Sequence, residues 1–254
     1  MSSPSDNLYH PIERLNNPPI VEASIDIVPE KTSAIDTENL KEMLKQNLPS
    51  YSHEIIETEE YLLQISKKGE PAKRTALGFN GLKLVSEDKT REVMINAERC
   101  IFSRTKDYVD WENLCSDAEQ AWAIYADIYK PTEINSLIVG FVNEFSVAST
   151  PFSLNDYLFN APEEKQIDDW DLRFFHHHDA FTIDKSPFNV HMIKRIEPGK
   201  SKGSVAILLD IRVYHSDKLK SSWGEIRKCL DKIRDIKNKA FFRSVPKKKI
   251  EEYK

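Results

Sequence analysis

The clearest pattern near the start of the chain lies in residues 20–27, Ile-Val-Glu-Ala-Ser-Ile-Asp-Ile, where apolar and polar residues alternate strictly from Val21 onwards. A period of two predicts a half-buried strand, with Glu22 and Asp26 on its polar face. Apolar residues then recur at helical spacing. They predict a short helix that begins at Asp36 or Thr37 and ends before Pro49.

Residues 53–104 contain apolar runs separated by turn-prone residues, which predicts successive antiparallel strands. These predicted strands cover residues 55–56, 61–65, 77–85, 93–95 and 100–102. The run Gly78-Phe79-Asn80-Gly81 predicts a bend or bulge within its strand. A helix follows, capped by Asp110 and ended by Pro131, because one apolar stripe runs from Trp111 to Ile128. Residues 134–147 return to strand.

The second half repeats the β pattern in three runs, 170–183, 188–196 and 204–215, and closes with a long amphipathic helix over 218–242. Strands in runs with few helices favour an α+β fold built mainly of antiparallel β-sheets. We expect two lobes, each covered by a long amphipathic helix. The predicted division is a flexible N-terminal arm at 1–16, an N-terminal α+β lobe at 17–150, and a C-terminal β-β-β-α lobe at 151–254.

Composition narrows the class of protein. The 254 residues include 12 Phe, 9 Tyr and 4 Trp, which excludes a disordered chain. The longest purely apolar run, Val205 to Leu209, is far shorter than the roughly 20 residues that cross a bilayer, so no membrane is expected as a partner. The first residues lack the features of a secretory signal, and the three cysteines include no Cys-x-x-Cys pair. These features predict a cytoplasmic protein.

Charge is distributed unevenly. The net charge is −5, yet residues 217–254 hold 13 Lys/Arg against 6 Asp/Glu. A basic end on an acidic body could contact nucleic acid or another anionic partner, and Lys247, Lys248 and Lys249 are the candidate residues. A solvated helix whose charges maintain solubility explains the same run.

The most conspicuous candidate site is the run Phe174-Phe175-His176-His177-His178-Asp179. Alternation along a strand puts His176 and His178 on one face. If the next turn centres on Lys185 and Ser186, His191 lies opposite Ala180 and joins them. Three imidazoles are enough for an open zinc site. Contact with a partner or ligand, and an ordinary polar strand end, are the alternatives. Because neither the Cys nor the His-Glu-x-x-His context of zinc sites is present, no cofactor is expected.

Charged residues on the predicted strands form a second candidate site. Glu22 and Asp26 would supply the acidic groups, and Arg104 and Arg212 are among the basic ones. A closed sheet lined by such groups could hold a polyphosphate and a metal ion. The expected Glu-x-Glu-x-Lys pattern is absent, however, and a solvated outer face explains the same residues. Glycine-rich phosphate loops and the nucleophile elbow are also absent from the sequence.

Several short motifs occur together in one order. They are Asn-Pro-Pro-Ile-Val-Glu-Ala at 17–23, Phe-Ser-Arg at 102–104, the run at 137–144, Leu-Leu-Asp-Ile at 208–211, and Ala-Phe-Phe at 240–242. This order is similar to that of a sporadically distributed bacterial family of about this length, whose activity is not established. The family pattern favours Leu-Arg-Tyr-Ile-Asn where this chain has Val-Gly-Phe-Val-Asn at 139–143, so the arginine is missing. The resemblance implies fold and length, and its patchy distribution suggests accessory, defence or toxin–antitoxin modules.

The residues therefore predict a non-enzymatic binding or interaction protein whose partner is another protein, with a homodimer as an option. One alternative is a metal-dependent hydrolase or phosphate-handling enzyme that uses the cluster of His176 and His178. The other is nucleic-acid binding through residues 217–254, which would weaken steeply with salt.

Overall fold

The computed structural model describes residues 14–30, 37–51, 54–64, 73–147, 152–160, 174–201 and 203–254. The structure describes only the backbone of residues 54–64, of residues 73–80 and of Thr37. Residues 1–13 of the predicted N-terminal arm therefore lie outside the described residues. Residues 170–173 of the predicted strand 170–183 also lie outside them.

The described residues form ten strands, four α-helices and two short 3₁₀ turns. The strands are β1 (Ile20–Pro29), β2 (Glu54–Gln64), β3 (Lys73–Val85), β4 (Arg91–Asn96), β5 (Arg99–Arg104), β6 (Glu133–Val147), β7 (Phe175–Thr182), β8 (Phe188–Pro198), β9 (Val205–His215) and β10 (Leu219–Lys220). The helices are α1 (Thr37–Asn47), α2 (Trp111–Tyr129), α3 (Trp223–Ser244) and α4 (Lys247–Glu251). Mixed helix and strand with mostly antiparallel pairing confirms the predicted fold class.

The chain divides into two compact units. Unit 1 contains Met1–Ala23, Leu137–Asp217 and Arg227–Lys254, and unit 2 contains Ser24–Ser136 and Lys218–Ile226. The boundaries fall within β1, β6 and α3. The lobe boundaries expected from the sequence, 17–150 and 151–254, stay predictions.

Unit 2 has the strand order β2-β3-β4-β5 followed by its portion of β1, and the pairs from β2 to β5 are antiparallel. Helix α2 begins as predicted, because the Asp110 carboxylate accepts a hydrogen bond of 2.8 Å from the Asn113 N–H. Its buried stripe includes Trp111, Trp122 and Tyr125. The Trp122 indole donates to the Ser221 carbonyl at 2.9 Å, which satisfies the polar atom of a buried ring.

Unit 1 has the strand order β6-β9-β8-β7, and every neighbouring pair is antiparallel. Val139, Phe141 and Phe145 of β6 are buried, and β9 is buried at nearly every position. Helix α3 contacts one face of these strands. The Lys237 amine lies 4.2 Å from the centre of the Phe141 ring, and the Ser244 hydroxyl is 3.9 Å from the Met192 sulfur.

Two predicted elements were wrong. Residues 55–56 and 61–64 belong to one strand, β2, which pairs with β3 along its whole length, and residue 65 lies outside the described residues. Polar residues 57–60 hid this continuity, because a strand paired on one side needs no unbroken apolar pattern. The last long helix begins at Trp223 rather than at 218, because Leu219 and Lys220 form β10 opposite Ile134 and Glu133.

The predicted bulge at Gly78–Gly81 is confirmed. Thr58 of β2 pairs with Gly81 and Glu59 pairs with Phe79, so Asn80 is the extra residue. Gly81 has a φ of +148°, and a Cβ atom at this position would lie 2.5 Å from the Ile95 carbonyl oxygen. Glycine is therefore required both by backbone conformation and by the close approach of β4.

Within the described ranges, no helix combines the length with the hydropathy needed to cross a bilayer. All three cysteines, Cys100, Cys115 and Cys229, are buried thiols. Burial raises the pKa of Cys229 to about 11 and also raises the pKa of Cys100. Core packing therefore explains these cysteines better than nucleophilic chemistry, which needs the thiolate.

We predict that Gly81→Ala lowers the free energy of unfolding by about 1–3 kcal/mol, because alanine must adopt a strained φ and displace the Ile95 carbonyl. Urea unfolding followed by tryptophan fluorescence measures this change. Gly224→Ala is the matched control, since no described atom lies within 4 Å of a Cβ placed there. Equal stabilities of the Gly81→Ala variant and the wild type would contradict the assigned bulge.

Candidate functional site

The hairpin of β7 and β8 places the histidines that the sequence singled out. The turn lies where it was predicted, and Lys185 adopts a φ of 53° within it. Ala180 pairs with His191, which confirms the register on which the histidine hypothesis depended. A slip of one residue would have sent His191 to the opposite face.

One face of β7, β8 and β9, here called the histidine face, carries His176 and His178 of β7, His191 of β8, and Asp210, Arg212 and Tyr214 of β9. His178 and His191 form a close pair on it: the Nε2 atom of His178 lies 3.2 Å from the Nδ1 atom of His191. One of these nitrogen atoms donates and the other accepts, depending on the tautomers.

The polar contacts continue from His191 onto β9. The His191 and Tyr214 rings lie 4.7 Å apart between centres. Arg212 donates two hydrogen bonds to Asp210, at 3.0 Å from Nη2 and 3.2 Å from Nε, and these bonds raise the pKa of Arg212. Burial lowers the pKa of His191, and the nearby charges of His178 and Arg212 lower it further.

His176 lies on the same face and is exposed, opposite Arg195. Among the described residues, no group of three or more His, Cys, Asp or Glu side chains is placed to hold a metal ion. His176, His178 and His191 thus lie on one face, as predicted. Of these three, His178 and His191 are in contact with each other.

The opposite face of the same strands, here called the helix face, holds a polar cluster that the sequence analysis did not identify. Lys194 of β8 is only 2% exposed. Its amine lies 3.3 Å from the Asp179 carboxylate and donates to the Asn160 carbonyl at 3.2 Å. The second oxygen of Asp179 lies 2.8 Å from Nε2 of His177. The sequence holds one signal of this cluster: Lys194 lies between Met192 and Ile196 at a spacing of two, so a lysine shares the apolar face of its strand.

Asp179 links the imidazole of His177 and the amine of Lys194 in this cluster. Burial acts to raise the pKa of Asp179, but hydrogen bonds from His177 and Lys194 and their charges outweigh it and lower the pKa. The carboxylate is therefore ionised at neutral pH. A carboxylate that orients an imidazole supplies two of the three members of a catalytic triad. None of the described contacts supplies the third member, a nucleophile.

The edge of unit 1 is formed by β7. In the part of the chain that the structure describes, β7 is paired with β8 and with no other strand. Phe174, next to this strand, is 68% exposed, and Phe181 within it is 50% exposed. Large apolar side chains at an unpaired strand edge are unusual on a protein surface.

The charged residues of the second candidate site lie in both units, and Asp26, Arg104 and Arg212 have local partners. In unit 2, Asp26 lies 3.3 Å from Arg99, and Arg104 lies 2.9 Å from Asp117 of α2. In unit 1, Glu22 is exposed and Arg212 is paired with Asp210. The contacts of Asp26 and Arg104 join neighbouring elements and that of Arg212 lies within β9, so all three are explained as structural ion pairs.

The basic residues near the end of the chain differ from one another. Lys247 and Lys248 are exposed. Lys249 is paired with Glu252 at 2.7 Å, and its amine lies 4.6 Å from the centre of the Tyr157 ring. Lys249 is thus engaged within unit 1, and an anionic partner would meet mainly the first two.

Comparison with protein-family models found no match, and a search of curated proteins found no similar sequence at a significant level. The resemblance to a sporadically distributed bacterial family therefore stays a prediction from the sequence.

Asp26 provides a test of these electrostatics. Burial raises the pKa of Asp26 to about 6, although the charge of Arg99 opposes the shift. Between about pH 4 and pH 6 the folded state holds a proton that the unfolded state has lost, so stability falls as pH rises through this range and stays reduced above it. We predict that Asp26→Asn raises the free energy of unfolding by about 1–3 kcal/mol at pH 7.5.

The gain should largely disappear near pH 3, below the ordinary aspartate pKa of 3.8, because the wild-type carboxyl is then largely protonated in both states. Urea unfolding at the two pH values measures it. Glu22→Gln is the matched control, because Glu22 is exposed on the same strand and should show no such pH dependence. A gain of equal size at both pH values would show that the effect does not arise from ionisation of Asp26.

Proposed function

We propose that the protein is a non-enzymatic binding protein that engages another polypeptide along the edge of β7 that no described strand occupies. The observation that carries this proposal is the combination of an edge strand with the exposed rings of Phe174 and Phe181. Strand addition at such an edge supplies backbone hydrogen bonds, and the exposed rings add apolar contact area.

The residues of β7 support this proposal because they lack the usual protection of an edge strand. Natural edge strands carry lysine, proline or free charges that discourage pairing. The sequence of β7, Phe-His-His-His-Asp-Ala-Phe-Thr, contains neither lysine nor proline. Its one carboxylate, Asp179, is already paired with Lys194 on the helix face.

A second edge strand in the same protein provides the comparison. Strand β2 ends the strand order of unit 2, and its sequence contains four glutamates, Glu54, Glu57, Glu59 and Glu60. These charges are the typical protection against pairing. The sequence of β2 thus carries four carboxylates, whereas the one carboxylate of β7 is paired within unit 1, and this difference favours a specific role for β7 over a general tolerance of open edges.

We also propose finer features that the sequence suggested. Two lobes would each carry a long helix, which the packing of α2 against β5 in unit 2 and the contacts of α3 in unit 1 support. A cytoplasmic location is supported by three buried thiols. A place in a bacterial accessory or defence module rests on the sequence resemblance alone.

Photo-crosslinking in cells tests the proposal. We predict that a benzophenone amino acid at position 174 or 181 forms discrete adducts with a polypeptide of a mass other than this chain. Position 239 on α3, which is exposed, is the control and should form none of these adducts. Ala180→Lys should reduce adduct yield at both positions by about tenfold, because a lysine on an edge strand opposes strand addition.

Identical adducts from all three positions would contradict binding at β7. An adduct of twice the chain mass would identify the partner as a second copy, which contradicts the proposed partner. An adduct that is sensitive to nuclease would favour nucleic-acid binding instead.

A further inference from the structure

The contact between His178 and His191 has a geometry that suits a shared cation. Their facing nitrogen atoms lie 3.2 Å apart. Zinc–imidazole bonds are about 2.0–2.1 Å long, so two imidazole ligands at a tetrahedral angle have nitrogen atoms about 3.3 Å apart. The pair therefore already has the spacing that bidentate binding requires.

We propose that His178 and His191 form a binding site for one divalent transition-metal ion, of the class that prefers imidazole: zinc, nickel or copper. This site lies on the histidine face and is separate from the edge of β7, so it goes beyond the proposed function. With two protein ligands, it leaves coordination positions open to water or to a donor group of a bound molecule.

The surroundings keep both rings in place. Residues 178 and 191 lie on adjacent strands whose ladder fixes their spacing, and the Tyr214 ring packs against His191. A metal ion gains affinity when its ligands are already positioned, because less conformational entropy is lost on binding. His178 is exposed, which gives the ion a route of entry.

The charges around the pair also permit a cation. Arg212 lies opposite His191 on β9, and its ion pair with Asp210 offsets its charge.

Binding requires one rearrangement of protons. In the metal-free pair, one of the two facing nitrogen atoms carries the hydrogen of the shared hydrogen bond. On binding, this hydrogen moves through solvent to the other nitrogen of the same ring, so both lone pairs face the ion. The net charge of each imidazole is unchanged, and no other reactant is needed.

Calorimetric titration of the purified, untagged and chelator-treated full chain with Zn²⁺ and with Ni²⁺ at pH 7.5 tests the proposal. The wild type should bind one equivalent of each ion. His178→Ala and His191→Ala should each weaken binding by at least about tenfold, equivalent to 1.4 kcal/mol. His176→Ala is the matched control, because His176 is exposed on the same face outside the pair, and it should bind as the wild type does.

Circular dichroism verifies that each variant is folded, and His191→Gln offers a second variant that keeps a polar side chain at position 191 and should also lose binding. Titration with Mg²⁺ should give no heat of binding, because Mg²⁺ prefers oxygen ligands. Absence of zinc and nickel binding by the wild type would overturn the proposal. Equal weakening in His176→Ala would also overturn it, since that result describes diffuse binding to surface histidines.

Discussion

The pairing of Lys194 with Asp179 is the interaction on which the arrangement of unit 1 depends. Lys194 is nearly inaccessible to solvent, and Asp179 is its salt-bridge partner among the described residues. If β7 moved by one residue against β8, Asp179 would turn to the histidine face and Lys194 would lose this partner. Leaving a buried charge unpaired costs about 3–5 kcal/mol, which is a large fraction of the stability of a domain.

That register determines what each face of the hairpin can do. On the helix face, Asp179 is held between His177 and Lys194 and is not available to guard the strand edge. On the histidine face, His178 and His191 meet at hydrogen-bond distance. Between the faces, the backbone edge of β7 is bordered by exposed phenylalanine rings. The proposed polypeptide binding and the proposed metal site thus both follow from one alignment of two strands.

The fold was largely predictable because its patterns are local. The alternation in β1, the Asp110 cap of α2 and the turn between β7 and β8 each depend on neighbouring residues, and the structure confirms them. Strand β2 and the start of α3 were mispredicted because pairing with β3 and β6 decided them, and a single sequence does not show which strand will be the partner.

The candidate site was predictable only in part for the same reason. The shared face of His178 and His191 followed from a period of two and a turn position. The burial of Lys194 and the pairing of Arg212 with Asp210 could not be predicted in this way, because both depend on which elements pack against each face. A lysine or an aspartate in an apolar strand looks identical in sequence whether it is solvated or enclosed.

Disulfide trapping of the β7–β8 register tests the central claim most directly. Cysteines placed together at Ala180 and His191 occupy opposed positions, whereas the control pair at Ala180 and Met192 lies on opposite faces. After mild oxidation with glutathione, peptide mass spectrometry should find the first pair linked in nearly all molecules and the second pair largely reduced. Preferential linkage of the second pair would show that the strands are aligned differently, and both proposals for this hairpin would then lose their basis.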